Sequence, residues 1–299
     1  MMAIKNRSRI CLVVSAAIMV IALIMSLCGV GVNLGIDFAG GLSMQYHMGG
    51  TFAESDVASA LRGLNVSDFT VTTQGAAKDE VNIRIKSVSE DGVTALQASF
   101  EEAMKASYPA MTPVGNVSYV GPVAGATLLK NAVWSVALAS LLMLVYIAFR
   151  FDFNSGVAAV AGLVHDVLIM LSFMVILRSI VQMNSSFIAA MLTIVGYSIN
   201  NTIVIFDRIR ENAKKAPADA REDVVNRSVK ECLGRTVNTT LTTLITIVSL
   251  YVLGVDAIRE FALPIIVGIL SGVYSANMIN GYIWAALEER KRARKAKAA

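Results

Sequence analysis

Six long apolar stretches constrain this chain more than any other feature of its sequence. About 20 apolar residues are enough for a helix to cross the hydrocarbon core of a bilayer. The stretches occupy residues 10–32, 128–149, 156–177, 187–206, 237–253 and 261–287. Only 16% of the residues are charged, against about a quarter in soluble proteins. The sequence therefore predicts a polytopic α-helical membrane protein with a six-helix transmembrane bundle.

The first stretch is interpreted as an uncleaved anchor. It is longer than the roughly 7–15 apolar residues of a secretory signal, and no small-residue cleavage site follows it. We expect residues 1–33 to form a short cytoplasmic segment and the first transmembrane helix.

Basic residues predict the orientation. Of the 26 Lys and Arg, 18 lie at the N-terminus, at position 150, in the loop at 207–236 and in the tail at 288–299. Lys and Arg concentrate on the cytoplasmic side of membrane proteins. Six spans also return the chain to the side on which it began, so both termini, the loop and the tail are expected to be cytoplasmic.

A polar stretch at 34–126 predicts one extracytoplasmic domain, and helices two to six are then expected within 127–287. The stretch reads as strand, helix, strand, strand, helix, strand, which is typical of a ferredoxin-like α+β sandwich. Thr51 and Glu54 have the spacing of a capping box that opens the first of these helices.

The cytoplasmic loop and tail are rich in Lys and Arg. In the loop, Val224, Val225, Val229, Cys232 and Leu233 recur at helical spacing, which predicts an amphipathic helix on anionic lipid head groups. The tail is expected on the same surface. These basic residues are not interleaved with aromatic side chains, so nucleic acid is not an expected partner.

Polar residues inside the spans are the candidates for function, because placing them in lipid is costly. Asp166 lies near the middle of the third span and is a candidate for a proton or ion path. His165 projects about 100° away on the helix, so it either joins that path or makes a core hydrogen bond. Asn200 and Asn201 in the fourth span are either functional or contacts between helices. Arg235 is either a charge partner or a cation that reaches the head groups.

The sequence supports neither catalysis nor a bound cofactor. It contains no phosphate-binding loop, dinucleotide fingerprint or zinc-protease motif. Cys11, Cys28 and Cys232 are too widely separated for a disulfide framework or a zinc site. His165 has no Ser or Cys three or four residues away to act as a nucleophile. We therefore predict no catalytic residue, no metal and no cofactor.

Two long motifs resemble those of the SecD/SecF family. The run Gly35-Ile-Asp-Phe-Ala-Gly-Gly41 follows the first span and contributes Gly35, Asp37, Gly40 and Gly41. The run from Gly196 to Asn212, with Asp207 and Arg208, is similar to the fourth-span signature of the SecF subunits. His165-Asp166-Val167 and Arg235-Thr-Val-Asn-Thr-Thr240 also match, in the expected order, so the resemblance covers nearly the whole chain.

The resemblance implies an auxiliary, non-enzymatic subunit of the Sec protein translocase in the bacterial cytoplasmic (inner) membrane. Such subunits pair with SecD, associate with the SecYEG channel and use the proton or sodium gradient to assist export of unfolded polypeptides. SecA and other accessory subunits are further partners that it implies. The family is related to RND transporters, so half of an RND-like exporter of a small molecule or lipid is the alternative function.

Within the motifs, Asp37 is interpreted either as part of a turn or as a coupling residue. Asp207 and Arg208 are interpreted as a charged helix end entering the cytoplasm. Many family members carry an aspartate at the position of Asn201, thought to act in ion transfer with the arginine that matches Arg235. A carboxamide cannot titrate in the physiological range, so the ion path is expected to use Asp166 or carboxylates of SecD.

Overall fold

The computed structural model describes residues 4–74 and 77–298. The chain divides into two compact units, which are considered separately. The helical unit comprises Met1–Asn33, Ser135–Val181 and Ser186–Ala299, and the sandwich unit comprises Leu34–Trp134 and Gln182–Ser185.

The regular elements of both units follow one another along the chain. In order they are α1 (Ile4–Leu27), α2 (Ile36–Ala39), β1 (Gly41–His47), α3 (Glu54–Gly63), β2 (Phe69–Gln74), β3 (Glu80–Lys86), α4 (Glu90–Lys105), β4 (Thr112–Pro113), β5 (Ser118–Val120), α5 (Pro122–Arg150), α6 (Phe153–Ile176), α7 (Ser185–Lys215), α8 (Arg221–Leu253), α9 (Asp256–Ser275), a π-helical turn (Ala276–Asn280) and α10 (Gly281–Ala298).

The sandwich unit contains the predicted ferredoxin-like sheet. Its strands run antiparallel in the order β2-β3-β1-β4, and β5 also pairs with β1. Residues 41–43 of β1 face β5 and residues 46–47 face β4, so two short strands together fill the place of the fourth strand. The α+β prediction is confirmed.

The core of the sandwich follows from the two-residue period of its strands. Val81, Ile83 and Ile85 of β3 are buried while the residues between them are less so, because successive side chains of a strand point to opposite faces. Phe100 of α4 closes the core, and its ring lies 5.5 Å from that of Tyr46. Burial raises the pKa of Tyr46, so its hydroxyl stays neutral and donates to Glu101 at 3.2 Å.

The predicted capping box at the start of α3 is wrong. Ala53 occupies the N-cap position and makes no side-chain cap. The Glu54 carboxylate instead accepts hydrogen bonds from the backbone N–H (3.1 Å) and the hydroxyl (2.7 Å) of Thr73. The Glu54 carboxylate that the capping box would need is therefore bound by β2 instead.

Six helices in the described residues are long and apolar enough to cross a membrane, which confirms the six-helix prediction. They are Ser8–Leu27, Pro122–Ile147, Phe153–Ile176, Ser185–Lys215, Arg221–Leu253 and Ile258–Arg294. The last span joins α9, the π-helical turn and α10 without a break. Large apolar side chains on α1 and α5 are exposed, as is normal for helix faces that meet lipid.

The predicted amphipathic loop segment is not a separate helix. It is the first part of α8, which continues without interruption into the fifth span. Val224, Val225, Val229 and Cys232 pack into one buried cluster with residues of α7 and α10. Apart from Leu233, which is exposed, its apolar residues are therefore covered by protein. The tail is helical up to Ala298, and Arg292 donates to the carbonyl oxygens of Pro217 and Asp219.

Candidate functional site

The helical unit encloses a carboxylate, that of Asp166 on α6, which is 0% exposed. Ser271 donates to its Oδ1 at 2.7 Å, and Ser275 donates to its Oδ2 at 2.9 Å. Ser198 also donates to Oδ2, and Nδ1 of His165 lies 3.0 Å from Oδ1. Each carboxyl oxygen therefore has two hydrogen-bond partners, contributed by α6, α7 and α9.

Small residues let these helices approach closely enough for short serine side chains to reach the carboxylate. A β-carbon at Gly268 of α9 would overlap the side chain of Ile194 on α7, and one at Gly272 would lie 3.1 Å from Cβ of Ser198. Glycines four residues apart commonly allow such approach between membrane helices. The close α7–α9 contact therefore places Ser198 beside Asp166.

His165 makes more contacts than its helical position predicts. Its direction about 100° from Asp166 suggested separate surroundings, but the ring turns back and its Nδ1 lies against the Asp166 carboxylate. The other ring nitrogen, Nε2, lies 2.7 Å from the hydroxyl of Ser15 on α1. The histidine side chain has two rotatable bonds, so its ring can turn toward the next residue along the helix. The 100° between successive side chains therefore does not exclude a contact between His165 and Asp166.

A line of polar groups continues from His165 into α1 and α9. The Ser15 hydroxyl lies 2.9 Å from the hydroxyl of Tyr274, which donates to the carbonyl oxygen of Cys11. Ser8 of α1 donates to the carbonyl oxygen of Met278 in the π-helical turn. These contacts tie α1 to the sixth span.

The serines and Tyr274 of this site were missed in the sequence. Single serines are common in membrane helices, so none of them stands out alone. Ser271 and Ser275 do share one helix face because they are four residues apart. That spacing is the signal from which their convergence could have been suspected.

A second polar layer lies one helical turn from Asp166. The Asn280 Nδ2 donates to Thr202 Oγ1 at 2.9 Å, and that hydroxyl donates to the Ser198 carbonyl at 3.1 Å. A β-carbon at Gly162 would overlap the Asn280 amide, so any larger residue there would have to displace that amide. Asn280 belongs to the π-helical turn, and such turns often mark functional sites.

No hydrogen bond joins Asn201 and Arg235 among the described residues. Asn201 is buried and its Nδ2 has no partner among the described residues, whereas Arg235 is exposed. On this side of α7, Tyr197 contacts Thr240 and Arg208 contacts Glu231 of the antiparallel α8. That register puts Asn201 near the level of the buried Thr236, one residue away from the outward-facing Arg235.

Other polar residues of the fourth and fifth spans point outward. Asn200 is exposed, as are Asn238, Thr239 and Thr242 of α8, and Thr243 is half-buried. The threonine hydroxyls donate to carbonyl groups of their own helix. Arg235, Asn238, Thr239 and Thr242 together form an outward polar face of α8.

The charged end of the fourth-span motif makes ion pairs. Asp207 lies 3.9 Å from Arg150 at the end of α5. Arg208 contacts both Glu211 and Glu231, each at 2.5 Å, which links α7 to α8. These contacts fit the predicted charged helix end, because Asp207 and Arg208 each form an ion pair with a neighbouring helix.

The first glycine motif shapes the backbone of the sandwich unit. Gly40 and Gly41 have φ values of +77° and +148°, and a β-carbon at Gly41 would overlap the carbonyl oxygen of Ile85. A β-carbon at Gly35 would lie 3.2 Å from Asn184 Cβ. Asp37 accepts from the backbone N–H of Ser185, the first residue of α7, at 2.9 Å. Gly196, in contrast, has open space around its Cα.

The arrangement presents a carboxyl group, which can bind and release a proton, in a protein interior. In the described residues, no group of three or more His, Cys, Asp or Glu side chains could hold a metal. Asp166 combines full burial with four partners on helices that all cross the membrane. The fold and this site define a polytopic membrane protein with a ferredoxin-like domain and a buried carboxylate in its bundle.

Comparisons with known proteins identify the family. The family model for the "Protein export membrane protein SecD/SecF, C-terminal" matches residues 99–290, and that for the "SecD/SecF GG Motif" matches residues 26–49. The chain is 37% identical over 251 residues to the protein translocase subunit SecF of Endomicrobium trichonymphae, covering 82% of this chain and 78% of the relative. It is 35% identical to SecDF of Bacillus subtilis, covering 87% of this chain and 34% of that longer protein.

A solved structure agrees with these matches. The crystal structure of SecDF, a translocon-associated membrane protein from Thermus thermophilus, superposes with a TM-score of 0.77 at 32% identity. The superposition covers 97% of this chain and 40% of the SecDF chain. The chain belongs to the SecD/SecF family of protein export membrane proteins, with an auxiliary role in the Sec translocase, and the family prediction is confirmed. It corresponds to most of a separate SecF subunit and to about a third of a fused SecDF.

Proposed function

We propose that this chain pairs with SecD, associates with the SecYEG channel and uses an ion gradient to assist the export of unfolded polypeptides. It acts without catalysing a reaction of its own, and SecA and other accessory subunits join the same assembly. The buried carboxylate of Asp166 is the observation that carries the ion-coupled part of this proposal.

A buried carboxylate in a membrane bundle suits ion coupling because its charge is costly in a medium of low dielectric constant. The side chain is 0% exposed and accepts hydrogen bonds from serines on two neighbouring helices. Gain or loss of a proton there changes the hydrogen bonding of α6, α7 and α9 together. The site can thus convert ion occupancy into a change of helix packing.

The outward polar face of α8 supports pairing with SecD. Asn238 and Arg235 are exposed within or at the edge of a span, and polar groups at that depth require partners or water. A helix of a second membrane subunit supplies such partners. SecD is the subunit that the family relationship offers, and SecDF relatives carry both halves in one chain.

Replacing Asp166 with Asn tests the coupling. The Asp166→Asn variant keeps the shape of the side chain and removes its ability to titrate. We expect normal abundance and loss of the gradient-stimulated component of export, measured as processing of newly made exported proteins with and without an uncoupler. Asp91→Asn, the same change at an exposed carboxylate of α4, serves as the matched control and should export normally.

Export by Asp166→Asn at the parental rate would reduce Asp166 to a structural contact. Normal protein export in a strain that lacks the whole chain, with altered transport of a small molecule or lipid, would favour the half-exporter instead.

The orientation is proposed from the distribution of Lys and Arg: both termini lie in the cytoplasm of a bacterial cell and residues 34–126 lie outside. In a variant without the three native cysteines, Ser89→Cys should react with an impermeant thiol reagent in cells whose outer membrane has been opened. Ala218→Cys, in the α7–α8 loop, should react only after lysis. Labelling in the opposite pattern would invert the topology.

A further inference from the structure

Four contacts link the Asp166 carboxylate to the backbone of α1 in one continuous line. Asp166 Oδ1 meets His165 Nδ1 at 3.0 Å, and His165 Nε2 meets the Ser15 hydroxyl at 2.7 Å. The Ser15 hydroxyl meets that of Tyr274 at 2.9 Å, and Tyr274 meets the carbonyl oxygen of Cys11. Each contact is a hydrogen bond only when one proton lies between its two atoms.

Counting these protons fixes the protonation of the Asp166–His165 pair. A serine and a tyrosine hydroxyl supply one proton each, and a carbonyl oxygen supplies none. Tyr274 must donate to Cys11, so Ser15 must donate to Tyr274, and His165 Nε2 must therefore donate to Ser15. The last proton lies between His165 Nδ1 and Asp166, so the pair supplies two of the four protons.

A pair with two protons has no net charge. It is either an imidazolium with a carboxylate or a neutral imidazole with a carboxylic acid. Removing one proton leaves a net negative charge and forces Ser15 to donate to His165. One of the two Tyr274 contacts then brings two oxygen atoms together with no proton between them, which is repulsive.

The groups around the pair do not supply an alternative charge. In the part of the chain that the structure describes, the titratable group in ring contact with the pair is Tyr274 of α9, whose ring centroid lies 5.8 Å from that of His165. On the carboxylate side, α7 presents Ser198 and α9 presents Ser271 and Ser275. These hydroxyls can donate to Asp166 in both forms of the neutral pair, more strongly when the carboxyl is ionised.

We propose that His165 and Asp166 together form a proton-binding site that holds two protons in this conformation and that release of one proton weakens the contact of α1 with Tyr274. The inference rests on the proposed function. The Ser15–Tyr274–Cys11 line makes α1 the helix that responds to proton occupancy.

The protonation of His165 Nε2 is directly measurable by nitrogen NMR. The chain has two histidines, so His47→Asn leaves His165 as the single imidazole in a ¹⁵N-histidine-labelled sample of the full chain with its membrane partner in lipid bilayers. At about pH 8, where free imidazole is mainly neutral because it titrates at about 6.5, we expect Nε2 to be protonated and a second proton to lie on Nδ1 or on Asp166. Protonation of both nitrogens indicates the imidazolium and supports the site. Protonation of Nε2 alone supports it only when the ¹³C shift of the Asp166 carboxyl is that of a carboxylic acid; with an ionised carboxyl the pair holds one proton and the proposal fails.

Tyr274→Phe is the discriminating variant. It removes the hydroxyl to which Ser15 donates. Ser15 then becomes free to donate to His165 Nε2, and the His165–Asp166 pair needs only one proton. We expect Nε2 to lose its proton at the same pH, with Nδ1 remaining protonated. A proton on Nδ1 alone in the parent, or an unchanged Nε2 in Tyr274→Phe, overturns the proposal.

These outcomes are separate from those of the export test. Normal export in Asp166→Asn would remove the functional role and leave the proton count intact. A signal from Nε2 that changes with sodium concentration at constant pH would instead identify sodium as the ligand and contradict the assignment.

Discussion

The cores of the two units are built on opposite rules. In the sandwich unit, Leu42, Met44, Ile83 and Phe100 are fully buried and the charged side chains lie outside. In the helical unit the most deeply buried side chains include Asp166, Ser275 and Asn280, while large apolar residues of α1 and α5 are exposed. Water surrounds the sandwich unit and lipid surrounds the helical unit. Charged side chains therefore lie on the surface of the first, and apolar side chains lie on the surface of the second.

This contrast changes what a buried residue means. In a water-soluble unit, burial of an apolar side chain removes it from water and is favourable by roughly 25 cal/mol per Å². In lipid no comparable gain accompanies contact between apolar helices, so close packing and hydrogen bonds hold the bundle together. Apolar substitutions should therefore act mainly on the sandwich unit and packing substitutions at small residues on the helical unit.

The largest expected effect is on the sandwich core. Phe100→Ala removes a ring that is 0% exposed and should lower the free energy of unfolding of this unit by about 3–5 kcal/mol. Phe149→Ala on α5, where the side chain is 89% exposed, should change stability by less than about 0.5 kcal/mol. Urea titration of the reconstituted chain, followed by protease susceptibility, measures both.

Equal losses of unfolding free energy for Phe100→Ala and Phe149→Ala would contradict this comparison. They would mean that the Phe149 ring is also buried in the assembled protein. That result would identify the α5 face as a protein contact surface.

A smaller effect is expected at a glycine in the bundle. Gly162→Ala introduces a β-carbon that overlaps the Asn280 amide, and such overpacking costs about 1–3 kcal/mol. Gly196→Ala adds the same atom where nothing lies within 4 Å and should be neutral or slightly stabilising. The midpoint of thermal unfolding in detergent should fall for the first variant alone.

The double variant Gly162→Ala with Asn280→Ala sharpens this test. If the clash is the cause, trimming Asn280 should restore part of the lost stability, so the two changes should be non-additive. Strict additivity would show that Gly162 matters through its own backbone and not through Asn280.

Much of the architecture was predictable because its determinants are local. The length of each apolar stretch is enough to predict a span, and the two-residue period of residues 81–86 is enough to predict β3. The order strand, helix, strand, strand, helix, strand then restricts the sandwich to few topologies. Asp166 could likewise be singled out from its sequence position, since a carboxylate inside a span is uncommon whatever its neighbours are.

The partners of Asp166 were decided only by the tertiary structure. Ser198 and Ser275 are separated by a long stretch of chain from Asp166 and from each other, and helix rotation and the close α7–α9 packing determine that they converge on it. Packing between helices also covers most apolar residues of the first part of α8. A sequence determines which face of a helix is polar, but which neighbour meets that face depends on contacts between distant residues, and these exist only once the helices have packed.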